Sequence, residues 1–187
     1  MHKKLPKFYY FIDKLDIEEV KNLNKKIALI YRNYQKEPVI KEIIKFNKFC
    51  RDNNRIFIIS NFIEIALRYN LNGVYIPSFN NKKILRKFKN IKNFIIIGSA
   101  HNIKEIRIKE KQGVQQIFLS PIFPIKKSKN FLNISKFNLL SRLSNKAIIA
   151  LGGINKQNIK KLNMTNAYGF ASINYIKNEN SIPNLIL

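Results

Sequence analysis

The amino-acid sequence predicts an α/β protein folded as a single compact (β/α)8 TIM barrel. Two observations carry this prediction. Eight short apolar runs alternate with segments of helical pattern, from one end of the chain to the other. The 187 residues also contain no linker or low-complexity stretch, so we expect one domain over residues 1–187. Because such barrels usually have about 250 residues, the loops here must be short.

The predicted strands are apolar runs of four to six residues, a length that fits one buried strand each. The first, Tyr9–Ile12, ends at Asp13, and the second, Ile27–Tyr31, ends at Arg32. In chain order the eight strands are 9–12, 27–31, 55–59, 73–76, 93–98, 115–119, 147–151 and 168–171.

The predicted helices show apolar residues at helical spacing between these strands. The longest covers Pro38 to Asn53, with Ile43 and Cys50 among its inward positions. Asn102 and Glu105 have the spacing of a capping box, which predicts a helix start at that point. The remaining helices are predicted at 61–69, 82–88, 102–111, from Ser135 as a cap to Leu143, and from Asn155 onward.

The net charge of +24 invites a nucleic-acid interpretation. The lysines are spread over the whole chain, however, and are interleaved with Ile and Asn. A genome rich in A and T would enrich these three residue types together without any function. No motif of a nucleic-acid-binding module is present, so a basic barrel that binds nucleic acid ranks behind the other hypotheses.

The single cysteine, Cys50, excludes an internal disulfide and a cysteine-based zinc site, and its helical position predicts a place in the core. No apolar run is long enough to span a bilayer, and no signal-peptide core follows the first residues. We therefore expect a cytoplasmic protein with no membrane partner.

The stretch from Ala147 to Ile176 reads as a strand, a glycine turn, a helix and a second strand. The turn holds Gly152 and Gly153, and adjacent glycines let main-chain N–H groups approach an anion because no Cβ stands in the way. The alternative is a plain turn between strand and helix.

Four motifs resemble the thiamine-phosphate synthase/TenI family, which folds as a (β/α)8 barrel. They are Ser99-Ala100-His101, the run GVQQIFLSPIFP from Gly113 to Pro124, Ala150-Leu151-Gly152-Gly153-Ile154, and Gly169-Phe170-Ala171. The synthases join hydroxymethylpyrimidine diphosphate to thiazole phosphate and release diphosphate. The resemblance therefore implies two small phosphorylated substrates, and it leaves open whether the chain forms a homo-oligomer.

The resemblance also implies roles for individual residues. The thiazole phosphate would lie on four residues, namely Gly152, Gly153, Ile173 and Asn174. The departing diphosphate would contact Ser99 and Lys129, with help from the neighbouring Lys126 and Lys127, and Arg32 matches an arginine of the family. All these groups should lie at the C-terminal ends of the strands, where barrel enzymes keep their chemistry.

The metal half of the site departs from the family pattern. Asn61 and Asn80 stand where the family has the two aspartates that hold Mg²⁺. An asparagine keeps an oxygen ligand but loses the charge, so we expect a degenerate metal site with weak affinity. A TenI-like protein that binds thiazole phosphate without synthase activity is the alternative function, and Pro121 stands where some TenI tautomerases have a histidine.

Several residues also have structural interpretations. Arg32 could pair with Asp13, and His101 fits a hydrogen-bonding role at a helix start better than that of a base. Three aromatic residues could either line the pocket or fill space that lost polar groups have vacated, namely Tyr34, Tyr75 and Phe79.

Overall fold

The computed structural model describes residues 5–82, 91–126 and 130–179. Within them, eight parallel strands close into a barrel, in which each strand pairs with the next and the last pairs with the first. This architecture confirms the predicted fold class. The strands are β1 Phe8–Ile12, β2 Ile27–Tyr31, β3 Phe57–Ser60, β4 Gly73–Ile76, β5 Ile95–Ala100, β6 Gln116–Leu119, β7 Ala147–Leu151 and β8 Gly169–Ala171.

Helices follow most of the strands and cover the outside of the barrel. They are α1 Ile17–Val20, α2 Ile40–Asp52, α3 Ile63–Arg68, α4 Ile103–Gln112, α5 Asn133–Arg142, a 3₁₀ helix Ile159–Met164, and α6 Asn174–Glu179. The helix predicted at 82–88 lies outside the described residues except for Lys82. Every helix of the described ranges is too short or too polar to cross a membrane.

Two predicted helix starts are wrong, and asparagine side chains explain both. Helix α5 begins at Asn133 instead of Ser135, since Asn133 Oδ1 accepts the N–H of Lys136 at 3.0 Å. Asn155 opens a turn, because its Oδ1 accepts the N–H of Gln157 at 2.9 Å before the 3₁₀ helix begins. Short polar side chains compete with helical hydrogen bonds in this way.

The hydrophobic core has two parts, because alternate strand residues face opposite sides of the barrel wall. Tyr10 and Ile12 pack in the cluster beneath the helices, whereas Tyr9 and Phe11 pack in the barrel interior. The buried interior residues are Tyr9, Phe11, Ala28, Ile30, Ile58, Tyr75, Ile95, Ile97, Phe118, Ile149 and Ala171. Cys50 is fully buried in the outer part, as predicted, and burial raises the pKa of its thiol to about 12.

The start of α4 contains a network close to the predicted capping box. Asn102 Oδ1 accepts the N–H of Glu105 at 3.0 Å, and Glu105 accepts from the N–H of His101 at 2.9 Å. The His101 ring lies 2.8 Å from the same carboxylate, which confirms its hydrogen-bonding role at the helix start. Burial raises the pKa of Glu105, but the hydrogen bonds from His101 and Asn102 outweigh it and leave the pKa lowered.

We expect Glu105→Gln to lower the free energy of unfolding by about 1 kcal/mol at pH 7, the usual value of one capping interaction. Since the folded-state pKa is lowered, the stabilisation is complete above the unfolded pKa of about 4.3 and disappears as pH falls through the folded pKa. Urea unfolding of both proteins between pH 7 and pH 3.5 measures this difference. Glu64→Gln, at an exposed position of α3, is the control, and an equal loss in both variants at every pH would contradict the assignment.

Candidate active site

The predicted site residues come together at the C-terminal end of the barrel. Arg32, Asn61 and Gly152 directly follow β2, β3 and β7, and Ser99 lies within the last two residues of β5. The same alternation that points Ile30 and Ile97 inward carries Arg32 and Ser99 to the interior side of the wall. All eight strands are parallel, so these groups share one face of the molecule.

Arg32 lies over an aromatic ring in the mouth of the barrel. Its guanidinium carbon is 4.2 Å from the centre of the Phe11 ring and 6.0 Å from that of Tyr34. No ion pair joins Arg32 to Asp13 in the described part of the chain, so the alternative structural role is wrong. The charge of Arg32 is therefore not neutralised by a neighbouring carboxylate.

Tyr75 links the packed interior to this polar layer. Burial raises the pKa of its hydroxyl to about 12, and hydrogen bonding to Ser99 together with the charge of Arg32 offsets part of that rise. The hydroxyl therefore stays protonated at neutral pH, close to the buried Ser99 and the half-buried Arg32. The ring itself fills the interior against Phe11 and Phe118, with centroids 5.3 and 5.5 Å away.

The other two aromatic residues form an exposed pair at the mouth of the barrel. The rings of Tyr34 and Phe79 lie 5.5 Å apart, edge to face. Tyr34 is 56% exposed and Phe79 is 65% exposed, so neither ring fills an interior void. They leave an aromatic surface open to a ligand.

Asn61 and Asn80 are neighbours, as the resemblance implies, but their side chains are hydrogen-bonded to each other. Asn80 Nδ2 donates to Asn61 Oδ1 at 2.6 Å, and Asn80 Oδ1 accepts the N–H of Lys82 at 2.9 Å. In the described ranges no group of three or more His, Cys, Asp or Glu residues could hold a metal ion. Mg²⁺ prefers carboxylate and phosphate oxygens in octahedral geometry, so this pair of engaged amides does not fit it.

The loop after β4 is hydrogen-bonded to two side chains of the helix packed beneath it, and the sequence analysis missed both. Lys109 and Gln112, both on α4, are buried and donate hydrogen bonds to main-chain carbonyls of residues 77–82. The available signal was the spacing of three from Ile106 to Lys109 and from Lys109 to Gln112, because it places all three on the inward face of the helix.

The glycine turn after β7 has no room for side chains. Gly152 and Gly153 have φ angles of +93° and +73°, and a Cβ on either would come within 2.7 Å of atoms in the segment after β6. For Gly153 the nearest atoms are the carbonyl oxygens of Phe123 and Pro124, both at 2.6 Å. Only glycine permits this close approach at a left-handed backbone position.

The turns after β7 and β8 are joined by a buried serine that the sequence analysis also missed. Ser172 Oγ donates to the carbonyl of Ile154 and accepts the N–H of Tyr175, both at 3.1 Å. In the described part of the chain, none of the main-chain N–H groups of residues 152, 153, 173 and 174 donates a hydrogen bond. Two adjacent turns thus present unused donors on the same face.

Of the predicted lysines, Lys126 is exposed on the segment after β6, whereas Lys127 and Lys129 lie outside the described residues. A separate groove of about 830 Å³ lies at the opposite end of the barrel. Its lining is basic and includes Lys25, Lys26, Arg51 and Arg55, but none of the predicted site residues. The candidate site is therefore the C-terminal face alone.

Comparison with known proteins points to one family. The family model described as thiamine monophosphate synthase matches residues 17–176. A thiamine-phosphate synthase from Prochlorococcus marinus subsp. pastoris is 36% identical over 126 residues, which cover 66% of this chain and 36% of the relative. A putative thiamine-phosphate synthase 2 from Aquifex aeolicus is 28% identical over 181 residues, which cover 91% of this chain and 97% of the relative.

Solved structures show the same fold. A thiamine phosphate pyrophosphorylase from Pyrococcus furiosus superposes with a TM-score of 0.69 at 20% identity, covering 90% of this chain and 86% of that one. The lengths of the relatives differ, because the chain spans only 36% and 40% of two Prochlorococcus proteins and nearly all of the Aquifex protein.

We expect Gly153→Ala to cost more stability than Gly113→Ala, although both residues have positive φ. Left-handed strain of about 1 kcal/mol applies to both, and the contact with two carbonyl oxygens adds a steric cost at Gly153. Urea unfolding measures the difference, and inorganic phosphate binding should be lost only in Gly153→Ala. Equal destabilisation with phosphate binding intact would contradict a tight anion-binding turn.

Proposed function

The chain belongs to the thiamine monophosphate synthase family, and on that basis we propose that it makes thiamine phosphate from a pyrimidine diphosphate and a thiazole phosphate. In this reaction the bond between the pyrimidine methylene carbon and the diphosphate oxygen breaks, and the diphosphate leaves with the electron pair. The thiazole nitrogen then forms the new C–N bond. Residues 1–187 would act as one barrel domain in the cytoplasm.

The adjacent turns after β7 and β8 are the observation that carries this proposal. Their four main-chain N–H groups, at Gly152, Gly153, Ile173 and Asn174, would bind the phosphate of the thiazole substrate. Main-chain N–H groups gathered around a concave turn are a general means of phosphate binding. Ser172 supports this role because it fixes the distance between the two turns.

The diphosphate would lie on the other side of the mouth, between β2 and β5. Arg32 brings a positive charge there that no carboxylate of the described residues pairs with, and Ser99 brings a hydroxyl. Lys126 is exposed after β6 and would add positive charge there, and the family resemblance implies the same role for Lys127 and Lys129. Cations and donors placed where negative charge develops on the leaving group lower the barrier to its departure.

The pyrimidine ring would pack on the exposed pair of Tyr34 and Phe79. The Tyr34 ring of this pair lies 6.0 Å from the Arg32 guanidinium carbon, so a substrate stacked on the pair would carry its diphosphate toward that guanidinium. Aromatic contact of this kind orients a flat ring without demanding specific hydrogen bonds. No step is assigned to Mg²⁺, because the asparagine pair does not fit it.

The asparagine pair also supports the second candidate, a protein that binds thiazole phosphate and catalyses no condensation. In that case the turns after β7 and β8 would serve as the whole binding site. The two functions differ in whether the pyrimidine diphosphate is bound at all.

We expect purified protein to form thiamine phosphate from the two substrates and to bind each of them separately. Arg32→Met should lower kcat/KM by about 10²–10³-fold, the usual effect of removing one group that stabilises developing charge. Its affinity for thiazole phosphate should stay unchanged. Product formation by chromatography and calorimetric titration of each substrate measure these effects.

Arg68→Met is the matched control, since the Arg68 guanidinium also lies 6.0 Å from a tyrosine ring, that of Tyr69, but is exposed on α3. It should leave turnover within about twofold of the unsubstituted protein. Binding of thiazole phosphate alone, with no turnover and no binding of the diphosphate, would favour the second candidate. Binding of neither would contradict both.

A further inference from the structure

Helix α4 carries a lysine whose ammonium group is fully enclosed. Lys109 is 0% exposed, and its Nζ donates to the carbonyls of Pro77 at 2.8 Å and Asn80 at 2.7 Å and to Gln112 Oε1 at 3.0 Å. All three of its hydrogens are used, and each acceptor is neutral. Lysines are rarely buried to this degree without a pairing carboxylate, so the position needs an explanation.

The barrel is shaped to admit this side chain. A Cβ at Gly98 on β5 would lie 2.9 Å from Lys109 Cδ, so the glycine leaves the space that the lysine stem occupies. Burial lowers the pKa of Lys109 to about 8, which keeps it charged at neutral pH. At neutral pH the structure therefore holds an enclosed positive charge behind the loop that follows β4.

The same loop is bound by a second side chain of α4. Gln112 Nε2 donates to the carbonyls of Asn80 at 2.9 Å and Lys82 at 2.8 Å. Lys109 and Gln112 together fix the main chain on both sides of the Asn80 side chain, which in turn bonds Asn61. The loop cannot shift without breaking several buried hydrogen bonds at once.

The charges in this region differ from those of a metal site. At these positions two carboxylates with one divalent cation would sum to zero, whereas two asparagines with the Lys109 ammonium sum to +1. The Glu105 carboxylate, four residues before Lys109, also acts on that ammonium but is itself hydrogen-bonded to His101 and Asn102. A positive charge enclosed by protein acts on a nearby anion more strongly than one in water. Since its hydrogens are all taken, Lys109 cannot contact a ligand directly, and it can act only by fixing the loop and through the field of its charge.

We propose that Lys109 is a positioning residue that fixes the β4 loop and supplies its positive charge, so that the diphosphate half of the site works without a divalent metal. This inference rests on the proposed function, because it concerns the binding of the diphosphate group. It assigns to the barrel a metal-independent diphosphate subsite bordered by Asn61 and Asn80.

Calorimetric titration with inorganic diphosphate, in EDTA and in Mg²⁺, tests the proposal. The unsubstituted protein should bind diphosphate in EDTA at least as tightly as in Mg²⁺. Lys109→Met should weaken diphosphate binding by about tenfold or more, the effect of losing one hydrogen-bonded charge. Its affinity for thiazole phosphate should remain within about twofold, a separation that general destabilisation would not produce.

Lys104→Met is the matched control, because it removes the same charge from an exposed position on the same helix. It should leave both affinities within about twofold. If Lys109→Met does not fold, the double variant N61D/N80D provides the second test. Its two carboxylates should oppose the diphosphate and make binding depend on Mg²⁺, so that EDTA weakens it by about tenfold or more.

Loss of diphosphate binding by the unsubstituted protein in EDTA would overturn the proposal, as would equal behaviour of Lys109→Met and Lys104→Met. Metal-independent binding without condensation would overturn the proposed function and leave this inference standing. Condensation that requires Mg²⁺ would support the proposed function and overturn this inference. A double variant that binds diphosphate equally well with and without Mg²⁺ would also count against the inference.

Discussion

The close contact between the glycine turn after β7 and the segment after β6 is the constraint on which the candidate site depends. Gly152 and Gly153 lie so near Pro121 and Phe123 that a methyl group would not fit. This contact keeps the main chain of the turn next to the end of β8, where Ser172 joins the two turns. Because side chains are excluded there, the proposed ligands for a phosphate on that side are the main-chain N–H groups.

The two halves of the site consequently use different chemistry. In the proposed function, the half at β7 and β8 would bind through the main chain, which tolerates changes of side chain as long as the glycines remain. The half at β2 to β5 would rely on side chains. Asparagines stand there at the positions that the resemblance assigns to the metal, while the buried ammonium of Lys109 and the guanidinium of Arg32, which has no ion-pair partner among the described residues, would supply positive charge. The negative charge of a diphosphate can be balanced either by a metal ion or by such protein cations.

Most of the fold could be predicted from the sequence, since strands buried on both faces appear as unbroken apolar runs. The glycine turn and Arg32 were also predictable in position, because motifs at strand ends share one face of a barrel. The hydrogen bonds of Lys109 and Gln112 to the β4 loop could not be predicted, since a lysine in a lysine-rich helix is expected to be exposed. Its partner carbonyls come from another loop, and only the folded chain shows that Gly98 makes room for it. Two helix starts were predicted wrongly for a local reason, because asparagine side chains compete for the main-chain N–H groups near the start of a helix.

A crystal structure of the protein with thiazole phosphate bound tests the central claim most directly. The account predicts that the phosphate oxygens accept hydrogen bonds from the main-chain N–H groups of the turn at Gly153 and of Ile173. The thiazole ring should then extend toward the mouth of the barrel, on the side of Arg32. A phosphate found in the basic groove at the opposite end, or bound on the C-terminal face by lysine side chains alone, would contradict it.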